Sequence, residues 1–153
     1  MQKTLHFSKI INAPIDELFN RVADMKNYHE WLPNSNAFGG TKDIEPYPVQ
    51  LGTKYLDYGP SGQRPGEVNF FVPNKKIGFN HSMDISQMGL NIKTDIQIDY
   101  TFEETNKGVK VSRTLIMTIN SPISSYWGLP FVMGAFVKEN FRLMGALKKF
   151  SEQ

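Results

Sequence analysis

The sequence predicts an α+β domain: one twisted antiparallel sheet wrapped round a single long helix at the C-terminus. Three observations predict it. Lys76–Ile85, Lys93–Glu104 and Val109–Ile119 alternate apolar and polar side chains with a period of two, the signature of half-buried antiparallel strands. The last twenty or so residues repeat apolar side chains at helical spacing. The chain of 153 residues is 40% hydrophobic and 21% charged, which suits a single domain spanning 1–153. Its inventory of 11 Phe, 6 Tyr, 2 Trp and 7 Met is large for that size and has to be housed in the interior.

Composition also excludes classes. With no Cys there can be no disulfide scaffold, thiolate metal site, Cys nucleophile or thiol switch. A formal charge of +2 is too small for a nucleic-acid surface. No apolar run approaches the roughly 20 residues of a membrane helix, so no stable membrane insertion is expected. The first ten residues lack the apolar stretch of a signal peptide. A cytoplasmic protein is the expectation.

The elements follow in order. Lys3 to Asn12 reads as a strand. Pro14 suits a first helical position, and Asp16 and Glu17 lie where the helix dipole favours negative charge. Ile15, Leu18, Phe19 and Val22 then form one apolar face, and this helix should end near Asp24. A second short helix covers Lys26 to Leu32, stopped by Pro33. Weak strands are expected near 36–45 and 53–58, with Pro and Gly punctuating residues 46–66. Val68–Val72 pairs with Lys76–Ile85 across the Pro73-Asn74-Lys75 turn. Lys93–Glu104 puts Ile96, Ile98, Tyr100 and Phe102 on one face. After the Asn106-Lys107-Gly108 turn, Val109–Ile119 lines up Val109, Val111, Arg113, Leu115, Met117 and Ile119. Ser121 and Pro122 open a helical region that restarts at Pro130 and runs to about Phe150. Lys138, Arg142, Gly145 and Lys149 share one side of that helix. Leu129, Met133, Phe136, Asn140, Leu143, Met144 and Leu147 share the other.

Several of these segments carry a resemblance. Ile11-Asn12-Ala13-Pro14, Leu18-Phe19, Ala23-Asp24 and the run Asn27-Tyr28-His29-Glu30-Trp31-Leu32-Pro33 resemble the START/Bet v 1-like (SRPBCC) superfamily, most closely its polyketide cyclase/dehydrase and lipid-transport branch. The resemblance covers the whole chain. It implies the helix-grip fold, a seven-stranded antiparallel sheet gripping the last helix with a ligand cavity between them. It does not imply a reaction, because the superfamily holds carriers, receptors, cyclases and hydrolases.

Motifs for other chemistry are absent. There is no glycine-rich phosphate loop. Gly59-Pro60-Ser61-Gly62 is followed by Gln63, so no nucleophile elbow forms. His6, His29 and His81 match no metal-ligand spacing, and the two-His, one-carboxylate iron site of the Rieske-oxygenase relatives has no counterpart. Neither metal nor cofactor is expected.

Candidate site residues are polar groups whose phase puts them among apolar ones, where an unpartnered group costs about 1–3 kcal/mol. Arg113 either orients an acidic or carbonyl-bearing ligand, pairs with an internal carboxylate such as Glu139 or Asp57, or faces water at a bulge. His81 is either an acid-base group or a satisfied core histidine. If both reach one cavity, Arg113 could stabilise an enolate while His81 moves a proton. Asn140 either bonds a ligand from the helix or bonds the sheet. Tyr55, Asp57 and Tyr58 lie on a strand of uncertain phase. Phe79, Met83, Tyr100, Met117, Met133 and Phe136 complete the expected lining, together with Tyr58. Trp31 reads as core packing, Tyr126 and Trp127 as a cavity mouth, and Ser86 to Leu90 as either a gate or a wide plain turn.

The leading expectation is a binding protein for a small hydrophobic molecule such as a lipid, polyketide or isoprenoid. The alternatives are a cyclase, dehydratase or aromatase using His81 and Arg113, and an interaction module whose cavity is filled by side chains. A homodimer is the working expectation for assembly.

Overall fold

The computed structural model describes the backbone of residues 2–35, 38–60, 62–87, 90–119 and 129–153, and the side chains of these apart from 84–87, 90–92 and 129–132. The chain opens with β1 (Gln2–Ile11) and α1 (Ile15–Ala23). Pro14 stands just before α1 in an extended conformation, one place earlier than expected, and its carbonyl accepts the first helical bond from Leu18 N–H at 3.1 Å. A short 3-10 helix, Met25–Glu30, follows at once. Six strands come next: β2 (Gly40–Glu45), β3 (Lys54–Gly59), β4 (Gly62–Val72), β5 (Lys76–Gln87), β6 (Leu90–Thr105) and β7 (Gly108–Ile119). The long helix α2 (Leu129–Ser151) ends the chain. The seven strands make one antiparallel sheet in the order β1-β7-β6-β5-β4-β3-β2, which with α2 is the helix-grip arrangement.

Two expectations need correcting. Pro65 and Gly66, read as punctuation, lie inside β4, which starts six residues earlier than the apolar pattern shows. Gly66 is in a strand because the Tyr55 ring crosses it; a Cβ there would stand 2.4 Å from Tyr55 Cζ. The segment read as a gate is mostly strand, because β5 and β6 stay paired as far as Gln87 opposite Leu90. Met88 and Gly89 lie outside the described residues, as do Ser121, Pro122, Tyr126 and Trp127.

Alternation sends one face of the sheet inward. Ile77, Phe79, Ile96, Ile98, Tyr100, Phe102, Val109, Val111, Leu115 and Met117 are all buried. The outward face is polar. Gln97 accepts from Asn69 and Asn80 and donates to Asp99, over the space that Gly78 leaves open. One end of the inner face is closed by α1, whose Phe19 ring meets Phe71 and Phe102 edge-on at 5.4 Å each. Trp31 is buried beside Tyr28 at that same end, their ring centroids 5.1 Å apart.

The helix α2 lies along the edge strand β1. Phe141 meets Phe7 edge-on at 5.2 Å, Lys148 Nζ donates to the Ile10 carbonyl at 2.7 Å, and Arg21 of α1 donates to Ser151 Oγ at 2.8 Å. Burial along α2 is uneven. Leu143, Met144 and Leu147 are buried, whereas Met133, Phe136 and Val137 are only half-buried. Asn140 marks the change. Among the described residues, no helix is long and apolar enough to cross a membrane.

Candidate functional site

The register brings the polar inward residues together in two groups. Across the sheet, Ile77, Tyr100, Arg113 and Phe7 stand in one row. Tyr55, Gly66, His81, Ile96 and Met117 stand in another.

The first group centres on Arg113, 9% exposed. Its Nε–H donates to Asn140 Oδ1 and one Nη1–H donates to the Tyr100 hydroxyl, while the guanidinium carbon lies 5.0 Å from the Tyr100 ring centroid. The Asn140 amide is oriented by its own Nδ2–H, which donates to the Phe136 carbonyl at 2.7 Å and turns Oδ1 toward the arginine. A guanidinium carries five N–H donors. Three remain on Arg113 with no hydrogen bond to a described residue, and among those residues no carboxylate forms an ion pair with it. Glu139, one of the two carboxylates considered as its partner, is engaged by Arg142 at 2.6 Å and by Ser35 at 3.1 Å. Asp57, the other, accepts from Thr41 Oγ1 at 2.6 Å and stands opposite Arg64 in register.

In the second group the Tyr55 hydroxyl meets His81 Nδ1 at 3.3 Å, across the gap left by Gly66. Burial drives the His81 pKa down from 6.5 to about 3, with the positive charges of Arg64 and Arg113 adding to the effect. His81 is therefore neutral at pH 7. Burial also raises the Tyr55, Tyr100 and Tyr28 hydroxyls above their ordinary range, so all three stay protonated. Tyr28 donates to the Val22 carbonyl. Burial raises Asp57 as well, against the opposing pull of the Thr41 bond and of Arg64 and Arg113.

The remaining expected lining residues divide. Phe79 and Met117 are buried on the inner face; Met83, Met133 and Phe136 are half-buried around it. Tyr58 is a correction. It is 38% exposed and sits under Lys42 Nζ at 5.5 Å, on the face opposite Tyr55 and Asp57. Two inward residues escape the sequence pattern. Arg64 is buried on β4, in phase with Val68, and could be found only by extending that strand back through Pro65 and Gly66. Tyr28 lies on a 3-10 helix, where apolar spacing gives little warning of its facing. Among the described residues, no group of three His, Asp or Glu is placed to hold a metal ion.

Comparison with known proteins places the fold. No protein-family model matches the chain, and no curated protein matches it. Solved structures do. The di-domain ARO/CYC StfQ from the steffimycin biosynthetic pathway is similar with a TM-score of 0.72 at 12% identity, over 99% of this chain and 51% of that one. A START superfamily protein from Mycobacterium smegmatis is similar with a TM-score of 0.68 at 13% identity, over 98% and 97%. The Aha1 dimer from Colwellia psychrerythraea is similar with a TM-score of 0.61 at 14% identity, over 98% and 96%. The fold is thus the START/Bet v 1-like one that the sequence resembles.

Proposed function

We propose that the protein binds a small hydrophobic molecule between the inner face of the sheet and the N-terminal half of α2. The observation that carries this is the Arg113 cluster. An arginine with three uncommitted donors projects from β7 onto Asn140, the point on α2 where burial changes from complete to half. A guanidinium with no counter-charge is costly to bury, and a ligand arriving there supplies partners. Phe79, Met83, Met117, Met133 and Phe136 offer the adaptable apolar wall beyond it. A carrier or sensor would use such a site.

The likeness to an ARO/CYC protein supports a second reading, cyclase-type chemistry on a polyketide-like substrate. Two features weigh against it here. A His81 conjugate acid at about 3 is a weak base at neutral pH. The register levels of His81 and Arg113 also differ by four positions on β6, from Ile96 to Tyr100, about 13 Å along the strand. The two groups would hold a ligand at separate points more readily than they would share one carbonyl.

Native mass spectrometry of protein purified from its own host tests the proposal. A co-purified apolar species is the expected result. A clean apo mass, together with no response to the neutral fluorophore N-phenyl-1-naphthylamine, would sink it.

A further inference from the structure

Resting on that binding reading, we infer that the ligand is an apolar carboxylate, held head-first with its carboxylate on Arg113 at the closed end of the sheet and its tail toward the β5–β6 hairpin. Three observations lead there.

The first is charge. Among the described residues, Arg64 and Arg113 are buried cations, and Asp57 is the carboxylate on β3 whose pKa burial raises. Asp57 and Arg64 oppose one another across β3 and β4, and the Arg64 charge pulls the Asp57 pKa down against the effect of burial. Glu139, beside Asn140 on α2, is offset by Arg142. Asp57 and Glu139 feel the Arg113 charge without forming an ion pair with it, and its hydrogen-bond partners, Asn140 and Tyr100, are neutral. A ligand bearing one negative charge completes the balance.

The second is donor chemistry. Arg113 presents three N–H groups beyond those given to Asn140 and Tyr100. Tyr100 accepts from the arginine, so its own O–H points elsewhere as a donor. A site offering donors in a planar fork fits the two oxygens of a carboxylate better than a hydroxyl or an amine.

The third is direction. Past the Arg113 row the interior is shut: Phe102 and Phe71 are sealed by Phe19, and α2 is buried at Leu143, Met144 and Leu147. On the other side lie Phe79, Ile98, Ile96, Met117 and Met83, an apolar track toward the hairpin, under the half-buried part of α2. Among the described residues, that is the direction in which the tail can extend.

The test uses a matched pair, 11-(dansylamino)undecanoic acid and its methyl ester, titrated by fluorescence into the full-length protein and into Asn140→Asp. The Asp variant puts a carboxylate beside Arg113 without touching the surface. The acid should bind the native protein at least about tenfold more tightly than the ester, the scale of one charge-assisted pair. In N140D the preference for the acid over the ester should fall below about threefold. Equal affinity for acid and ester in the native protein would overturn this inference while leaving the binding reading intact. A preference that survives in N140D would overturn it too, by locating the discrimination elsewhere. Failure of both probes would overturn the binding reading and this inference with it. Should N140D not fold, as circular dichroism would reveal, the native acid-ester comparison decides alone.

Discussion

Lowering the pH from 7 to 5 should destabilise this protein through one side chain, and the size of the effect can be worked out in advance. His81 is 6% exposed and holds its proton only below about 3 when folded. In the unfolded chain a histidine takes up its proton near 6.5. Between those values the unfolded state binds more protons, so stability is lost as the pH falls through 6.5. Integrating the two titration curves from pH 7 to pH 5 gives a loss of about 2 kcal/mol. The control is His81→Asn. Asparagine can set its Oδ1 near the place of Nδ1, preserving an acceptor for the Tyr55 hydroxyl, but it does not titrate. Asp57 has the opposite sense, because a raised carboxylate pKa relieves the folded state as the pH falls. It is common to both proteins and cancels in the difference. Urea unfolding of each at pH 7 and pH 5 provides the measurement. The native protein should lose about 2 kcal/mol more than H81N over that interval. Parallel pH profiles would refute the reasoning and show that His81 is solvated or charged in the folded protein.

Two further predictions address packing. Gly66→Ala puts a Cβ 2.4 Å from Tyr55 Cζ and should cost about 1–3 kcal/mol, measured by urea unfolding; the same change in a Tyr55→Ala background should cost clearly less, and equal costs would mean that the ring does not cross the glycine. Met133→Trp adds bulk to the half-buried part of α2 and should weaken N-phenyl-1-naphthylamine at least fivefold while changing stability by about 1 kcal/mol or less. A loss of stability above about 3 kcal/mol would show that the position is tightly packed core, with no room for a ligand.

The architecture was largely legible because period two and period 3.6 are imposed by backbone geometry, and the inward faces of β5, β6 and β7 obey the first. Arg113, His81 and Asn140 stood out because each breaks an apolar series, and all three are buried. What stayed hidden depends on tertiary contact. Gly66 looks like a turn until the Tyr55 ring is seen to cross it, and with β4 cut short Arg64 had no phase to betray it. Tyr58 was misplaced because Tyr55, Asp57 and Tyr58 straddle a change of face, and only the pairing with β4 says which side is in. The partners of Arg113 were equally out of reach, since nothing in the sequence favours a neutral amide over the carboxylate next to it, Glu139.

The division of α2 at Asn140 has a consequence for how such proteins diversify. The half after the asparagine anchors to β1 and α1 through Phe141, Lys148 and Ser151 and carries the buried Leu143, Met144 and Leu147. Among its described residues, the half before it packs on the core through side chains that are only half-buried, Met133, Phe136 and Val137. Mutations at Met133, Phe136 or Val137 can therefore reshape what is recognised without being purged for loss of folding. If the proposed site is the right one, a lineage carrying this layout can change its ligand by drift along one helical turn and a half, while its scaffold stays under strict selection.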